Sequence, residues 1–521
     1  MSFSRHAGKS SAERSPTLCA GDVSHRLRTV NTARRRVLLV DLNNFSTFPT
    51  YAVGILVAGL RQAGHDVEVL CPLAYDVPAA EREWRETLRD HWARRIHLST
   101  WGPFRFARDA ARDLRLWWMN RPHPNVLRET KRALENRPDI ILLSAYLQHY
   151  PTVVEIGRLA VAANVPLLLG GPMFNVQGVA DAWRDVPGAR AIFGGEADLI
   201  VADLVNCVCE SGDLLQFDGV LLPTGQRSQP ARPLRDLDRV PIPDFSDFPW
   251  DRYRFRIIPL VTGRGCQWNR CTFCSDIVSA SMRTFRTRST ESVLGEMREQ
   301  FQRHQTTNFL FLDLKLNSNP ALLRGIVENV QAYVPGAQWI GSVHVDLRRD
   351  NGLSRRELQA AVSAGMRRVS FGLETGSQRL LEAMDKGSSV AANSEFIRNA
   401  HEAGLSIRCT MFKGFPGETA EDLEQTSQFL EAHTDYIDRV RMNEFSVRED
   451  TPIFNALLRR SPAYPQLQVT RVDHRNARAH YRHPESGDRA YRRAKARVLR
   501  AVYHINRKEI RCEAKSFDGL M

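Results

Sequence analysis

The sequence predicts an α/β protein. A doubly wound, Rossmann-like sheet comes first, then a second strand–helix series forming a parallel barrel or sheet, then a basic helical C-terminal extension. Two observations carry this expectation. Short apolar runs alternate with helical periodicities in two separate series, the pattern of parallel strands joined by crossover helices. A stretch over 223–256 rich in proline and charge divides the series and reads as an extended linker.

The first series opens at Val37-Leu38-Leu39-Val40-Asp41-Leu42, an apolar run that suits a buried strand. A helix is expected over 50–63, ended by Gly64, and a second strand over 66–70. Residues 78–135, with Trp101, Trp117 and Trp118, read as a helical insertion. A strand over 140–144, a helix over 152–163 and strands over 165–169 and 189–193 complete a domain spanning 36–222. Ligands of such a sheet sit at the carboxyl ends of its strands. Gly170-Gly171-Pro172 and Gly194-Gly195-Glu196 fall there, and glycine admits close approach of a ligand, or simply a tight turn.

The second series spans 257–455, with strands expected over 257–262, 308–313, 339–345, 368–373, 406–412 and 437–445. The helices between them bury one face, as Val293, Leu294, Met297 and Phe301 do over 291–301. Chemistry belongs at the carboxyl ends of these strands. Beyond 456, Ala490, Tyr491, Ala494, Val498, Val502 and Ile505 recur at helical spacing among arginines and lysines, so a helix over 488–505 should pack on the barrel. His474, His480 and His483 read as polar surface or as groups reaching over the barrel mouth.

Composition bounds the function. The hydrophobic fraction of 43% and charged fraction of 25% are those of a soluble protein. No apolar run is long enough to span a bilayer, and a cytoplasmic protein without membrane contact is expected. The net charge of +13 is carried by the ends. Residues 1–36 hold eight Lys/Arg against Glu13 and Asp22, and residues 459–521 hold sixteen against six acids. The middle is slightly acidic, so no general nucleic-acid surface is implied. Residues 1–35 have little to bury and are expected to be a disordered basic arm. Nine cysteines, three on one loop and the others scattered, do not make a disulfide framework.

Three of those cysteines share one loop. Cys266, Cys271 and Cys274 follow the apolar strand at 257–262, a density that argues for a bound group rather than inert core thiols. A structural zinc site needs four protein ligands, and no fourth lies nearby in the sequence. Three thiolates and a missing fourth suit a [4Fe–4S] cluster with one open iron.

Cys266, Cys271 and Cys274 with Phe273 resemble the cluster loop of the radical S-adenosylmethionine (SAM) enzymes. The lead Arg264-Gly265-Cys266 and the end Cys271-Thr272-Phe273-Cys274 match closely, whereas Gln267 to Arg270 make the first interval one residue longer than the family's C-x3-C-x2-C. The resemblance continues in Gly372-Leu373-Glu374-Thr375-Gly376-Ser377, where Glu374 suits ribose hydroxyls of SAM. It includes Gly414-Phe415-Pro416-Gly417-Glu418, the family's turn by the adenine, followed by a Thr419/Asp422 capping box. Asp313 and Asn317 resemble polar positions near the methionyl end. This resemblance implies a partial (β/α)6 barrel, a [4Fe–4S] cluster and SAM.

Residues 37–212, through Gly170, Gly171, Gly194, Gly195 and Glu196, resemble more weakly the cobalamin-binding domain that precedes the barrel in one large class of these enzymes. An Asp-x-His-x-x-Gly motif does not follow Asp41, so no histidine from that loop should ligate cobalt; His149 is a surface residue or an approach to the corrin.

The two resemblances together imply a cobalamin-dependent radical SAM enzyme. The expected activity is C-methylation of an unactivated carbon in a specialised metabolite or modified peptide, with a flavodoxin or ferredoxin as electron donor. Non-methylating rearrangement, cyclisation or oxidation is the alternative within radical chemistry, and a corrinoid or redox-sensing binding protein is the alternative outside it. Methylthiotransferases carry three further cluster cysteines in the N-terminal domain, a grouping that Cys19, Cys71, Cys207 and Cys209 do not make.

Overall fold

Two six-stranded sheets organise the chain, and each grows from buried, branched apolar runs. The computed structural model describes residues 33–520 apart from 45–46, 80–84, 100, 102–107, 112–113, 116, 119, 276–284, 460, 462–467 and 483–486. Most of the expected arm and His483 therefore lie outside the described residues.

The first sheet contains Arg36–Asp41 (β1), Asp66–Leu70 (β2), Ile140–Ser144 (β3), Leu167–Gly170 (β4), Ala189–Phe193 (β5) and Val220–Leu221 (β6), in the order β2-β1-β3-β4-β5-β6. The first five strands are parallel, with Val37 opposite both Val67 and Ile140. Helices cover both faces, so the strands read as continuous apolar runs. The order reverses between β1 and β3, which opens a crevice at their carboxyl ends. The sequence analysis did not foresee β6, which runs antiparallel to β5 and is too short for periodicity to reveal.

The second sheet follows. Ile258–Leu260 (β7) leads into a short antiparallel pair, Gly263–Arg264 (β8) with Arg286–Thr287 (β9). Next come Asn308–Phe311 (β10), Gln338–Val343 (β11), Met366–Glu374 (β12), Ser406–Lys413 (β13) and Arg439–Glu444 (β14). The order is β14-β13-β12-β11-β10-β7, all parallel. Six strand–helix units thus form the expected open barrel, with every loop of chemical interest at one end.

The proline-rich connector is not a free linker. Phe245 is fully buried against Gly54 in the helix Tyr51–Gln62, where a Cβ would stand 2.4 Å from the ring. The Asp244 N–H donates to the Gly54 carbonyl at 2.9 Å, and Arg61 pairs with Asp244 and Asp247 at 2.7 and 2.6 Å. Phe245, Phe248 and Tyr253 belong to the apolar core that runs from the first sheet into the second. Its prolines and charges signalled an extended backbone, but the aromatics between them decide where it lies.

The C-terminal extension departs from its helical expectation. Val447–Arg448 (β15), Gln468–Asp473 (β16) and Arg478–Arg482 (β17) form an antiparallel sheet, with Ala477 in the left-handed region at φ 50° to turn the hairpin. The helix Arg489–Asn506 follows, within a residue of the expected range, and packs on the helix Ala420–Ala432. At its end the Asn506 side chain accepts from Val440 N at 2.7 Å and donates to Val440 O at 2.9 Å, covering the outer edge of β14. Farther on, Phe517 and Leu520 pack with Ile257, Leu310 and Ile340. Buried Arg368 donates to Phe517 O and meets Asp518 there, which seals the barrel end opposite the cysteine loop.

In the 78–135 insertion, helices Leu88–His97 and Pro124–Glu135 are present, while Trp101, Trp117 and Trp118 are exposed. No helix among the described residues is long and apolar enough to cross a membrane.

Candidate functional site

The cysteine loop begins where β7 ends, and its first turn is clamped from the next strand. Asp313, just beyond β10, accepts from Thr262 Oγ1 at 2.6 Å and from the N–H groups of Thr262 and Gly263 at about 3.0 Å. Burial pushes this carboxyl up to about 6 against those hydrogen bonds. Asn317 is similarly committed: its amide donates to His344 O and Asn351 O, and its oxygen accepts from His344 N. Both residues, which the family resemblance puts near the methionyl end of SAM, thus shape the barrel mouth through its backbone.

The longer first interval of the loop is anchored along its length. Arg348 donates to Gln267 and also grips Asp346 at 3.0 Å. The Trp268 indole N–H donates to Asp385 O at 2.6 Å, and Arg270 Nε meets the Asp385 carboxylate at 3.1 Å. Thr272 N donates to Met384 O at 3.0 Å, and Thr272 O accepts from Ile453 N at 2.9 Å. Gly387, at φ 66°, lies against Trp268 so closely that a Cβ would stand 2.2 Å from the indole. Asn269, in the middle of the longer interval, adopts φ 50°.

Cys266, Cys271 and Cys274 are partly buried on this loop, and none is in a disulfide. Burial pushes the Cys271 thiol up, Lys386 opposes this, and Cys266 is among the charges that act on it. Among the described residues, no three His, Cys, Asp or Glu side chains stand close enough to hold one metal ion. A zinc ion draws its ligands to a single point, whereas an iron–sulfur cluster takes each thiolate at a different iron. Three sulfur donors on one pinned loop fit a cluster.

Glu374 ends β12 at φ 60°, where the pairing with β13 shifts register. Its carboxylate accepts from Lys386 Nζ at 2.9 Å, and both side chains are about nine-tenths buried. Ser377 caps the helix Gln378–Ala383 and donates to Asp422 at 2.6 Å, so its hydroxyl is used within the protein. Phe273 packs against Phe412, Phe415 and Phe445 with ring centroids 5.2 to 6.5 Å apart. This aromatic wall holds the loop to the turn after β13.

In that turn Gly414 and Gly417 have φ 80° and 82° with open space where a side chain would be, as a ligand-facing turn requires. Pro416 fixes the bend between them. Glu418 is buried: it accepts from Gly414 N at 2.9 Å and from Tyr491 Oη at 2.6 Å. Burial pushes it up to about 7 against those bonds, and its role is to lock the turn to the C-terminal helix. The capping box of Thr419 and Asp422 is present as expected.

The first sheet reaches the same region through ion pairs. Arg264, two residues before Cys266, pairs with Asp198 at 2.5 Å and with Glu196 at 3.3 Å. Glu196 also accepts from Arg286 and from Leu234 N, each at 2.7 Å. Glu196 therefore joins the two sheets. Three of the four candidate glycines are dictated by protein contacts. A Cβ on Gly171 would stand 2.4 Å from Ala145 O, on Gly194 2.4 Å from Phe174 O, and on Gly195 2.6 Å from Ala231. Gly170 has nothing nearer than 3.9 Å and is the open one. His149 lies in a short turn after β3, and burial lowers its pKa to about 4, which leaves the ring neutral.

Several groups at the barrel mouth escaped the sequence analysis. Lys386 is one. Lys315 and Asp346 are another, an ion pair at 2.5 Å that is almost wholly buried. His344 is a third, buried at the end of β11 with its Nε2 unpartnered and kept neutral by burial and the two lysines. The His474–Glu449 pair at 2.9 Å lies in the extension sheet.

Comparison with known proteins bears on the fold. Residues 260–430 match the radical SAM superfamily. An uncharacterized methyltransferase of Pyrococcus horikoshii is 27% identical over 300 residues, covering 56% of this chain and 64% of the relative, so under two-thirds of that protein is spanned. The cobalamin-dependent SAM radical enzyme OxsB with aqua-cobalamin bound aligns at a TM-score of 0.62 and 15% identity over 86% of this chain and 64% of its own. The radical SAM methyltransferase TsrM of Kitasatospora setae, with cobalamin and a [4Fe–4S] cluster bound, aligns at 0.60 and 19% identity over 84% of this chain and 81% of its own. Residues 260–430 thus match the radical SAM superfamily, and the chain shares with these two solved structures a fold of a Rossmann-like sheet followed by a partial barrel.

Proposed function

We propose that the chain is a cobalamin-dependent radical SAM C-methyltransferase acting on an unactivated carbon of a specialised metabolite or modified peptide. The observation that carries the reading is the joint made by Arg264, which ties the cysteine loop of the barrel to Asp198 and Glu196 of the first sheet. The three cysteines are thereby held beside the carboxyl ends of the first sheet's strands, the side on which a doubly wound sheet binds its ligand.

Cys266, Cys271 and Cys274 would hold the cluster, Glu374 and the Gly414–Gly417 turn the SAM, and Gly170 the face open to cobalamin. When bound, the cluster supplies the electron that splits SAM to methionine and a 5′-deoxyadenosyl radical, while cobalamin carries the methyl group. The residues themselves position and enclose. Asp313 fixes the start of the loop, Asp385 and Arg348 its middle, and the phenylalanine wall excludes water from its end. A low-potential one-electron donor such as flavodoxin or ferredoxin would serve it, in a reducing cytoplasm.

The test is anaerobic purification with iron, sulfide and corrin counted per chain, followed by assay with methyl-labelled SAM. One cluster and one cobalamin with label in a product is the expected result. SAM cleavage with no label in any product would replace methylation by rearrangement, cyclisation or oxidation. Cofactor binding without SAM cleavage would leave a corrinoid-binding protein.

A further inference from the structure

Lys386 follows the two carbonyls, of Met384 and Asp385, that accept from Thr272 and Trp268 of the cysteine loop. Its backbone is therefore fixed by the contacts that fix the loop. Its side chain is 10% exposed. The ammonium sits 5.7 Å from the ring centroid of Phe273, the residue next to Cys274 and two from Cys271, and 2.9 Å from Glu374 Oε1. Gly372 keeps this room open, since a Cβ there would stand 2.2 Å from Glu374 Oε1 and 2.7 Å from Lys386 Nζ.

Taking an ammonium out of water is costly unless opposite charge surrounds it. Burial pulls Lys386 down, but Glu374, Cys271 and Cys274 outweigh it, and its pKa lies above the ordinary lysine value. Glu374, Cys271 and Cys274 thus all act on Lys386, while Cys266 acts on Lys315. A [4Fe–4S] cluster held by three thiolates is a net anion and gains one further negative charge on reduction. Charge beside it shifts its potential.

We propose that Lys386 is the counter-charge of the cluster: it favours the reduced state and so sets how strong a reductant the enzyme needs. The inference rests on the cluster reading given above. One electron leaves a low-potential donor, which is oxidised by one electron, and enters the cluster; no bond is made or broken, and Lys386 keeps its proton throughout. Glu374 belongs to the same pair with the opposite sign, so it must act in the opposite direction.

The experiment is a dye-mediated redox titration of the reconstituted full-length protein without SAM, with dithionite as reductant and the reduced cluster followed by electron paramagnetic resonance. Lys386→Met should lower the reduced-to-oxidised ratio at a fixed potential roughly tenfold, a shift of about 59 mV for one electron. Lys386→Arg should stay near the wild-type midpoint, and Glu374→Gln should move it upward. An unchanged or raised midpoint in Lys386→Met would overturn the assignment. Should that variant fail to hold a cluster, Glu374→Gln decides: an unchanged or lowered midpoint overturns it. A wild-type chain that takes up no cluster would remove the cluster reading and this inference together, an outcome distinct from a loaded cluster indifferent to Lys386.

Discussion

The mouth of the barrel and the strand ends of the first sheet are built by opposite means. At the barrel mouth ionisable side chains are buried and satisfied by hydrogen bonds: Asp313 by Thr262 and Gly263, Glu418 by Gly414 and Tyr491, Lys386 by Glu374. At the ends of β4 and β5 glycines give way to neighbouring backbone, with Gly171 against Ala145 and Gly194 against Phe174. The first arrangement fixes charge in a dry place and the second fixes shape. On the proposed reading, the first suits a site that moves electrons and the second a site that seats a large flat ligand.

That contrast is sharpest for the loop itself. Cys271→Ala should reduce bound iron by more than the ten- to hundredfold typical of losing an outer-shell partner, with loss of the cluster's visible absorption and no cleavage of SAM. Iron retained at the wild-type level would break the assignment of the loop. Asp313→Ala leaves two buried N–H donors without an acceptor, at a cost of about 2 to 5 kcal/mol. A lower melting temperature and partial cluster occupancy are expected, and an unchanged melting curve would show that the clamp is not needed.

An effect of about 3 kcal/mol separates Glu418 from an ordinary carboxylate. Its folded value, about 7 against an ordinary 4.5, means that the unfolded chain releases the proton first. The stability it lends is present below about pH 4.5 and is lost as the pH rises through 7. Relative to wild type, Glu418→Gln should therefore gain stability between pH 5 and 8, read from melting temperatures; a difference independent of pH would discard the buried-acid account.

On the first sheet the predictions divide the glycines. Gly194→Ala should cost about 1 to 3 kcal/mol through overpacking and leave iron content unchanged. Gly170→Ala should leave the melting temperature within about a degree of wild type while weakening cobalamin binding, measured by titration of the corrin absorbance. Equal stability losses at both positions would erase the distinction between a packed and an open glycine.

How legible was this in the sequence? The strands were, because parallel strands covered on both faces are apolar throughout, and runs such as Ile140–Ser144 and Ala189–Phe193 begin and end where expected. The cysteine loop was legible because spacing is local. The partners of its polar groups were not. Lys386 lies 112 residues beyond Cys274 in the chain, and nothing in Asp385-Lys386-Gly387 distinguishes a surface turn from a buried cation. Glu196 and Arg264 were both visible, but a bond between residues 68 apart has no periodicity to announce it. The β16–β17 hairpin was hidden because its histidines and arginines read as polar surface and not as a short alternating strand pair.

The Asn506 amide that covers β14 has a consequence for how the protein is made. Edge strands recruit foreign strands when left bare. On the ribosome, β14 emerges well before the helix Arg489–Asn506 that shields it. Throughout that interval the nascent chain presents an unpaired barrel rim, so translation pauses between residues 444 and 506 set how long the rim is open to aggregation.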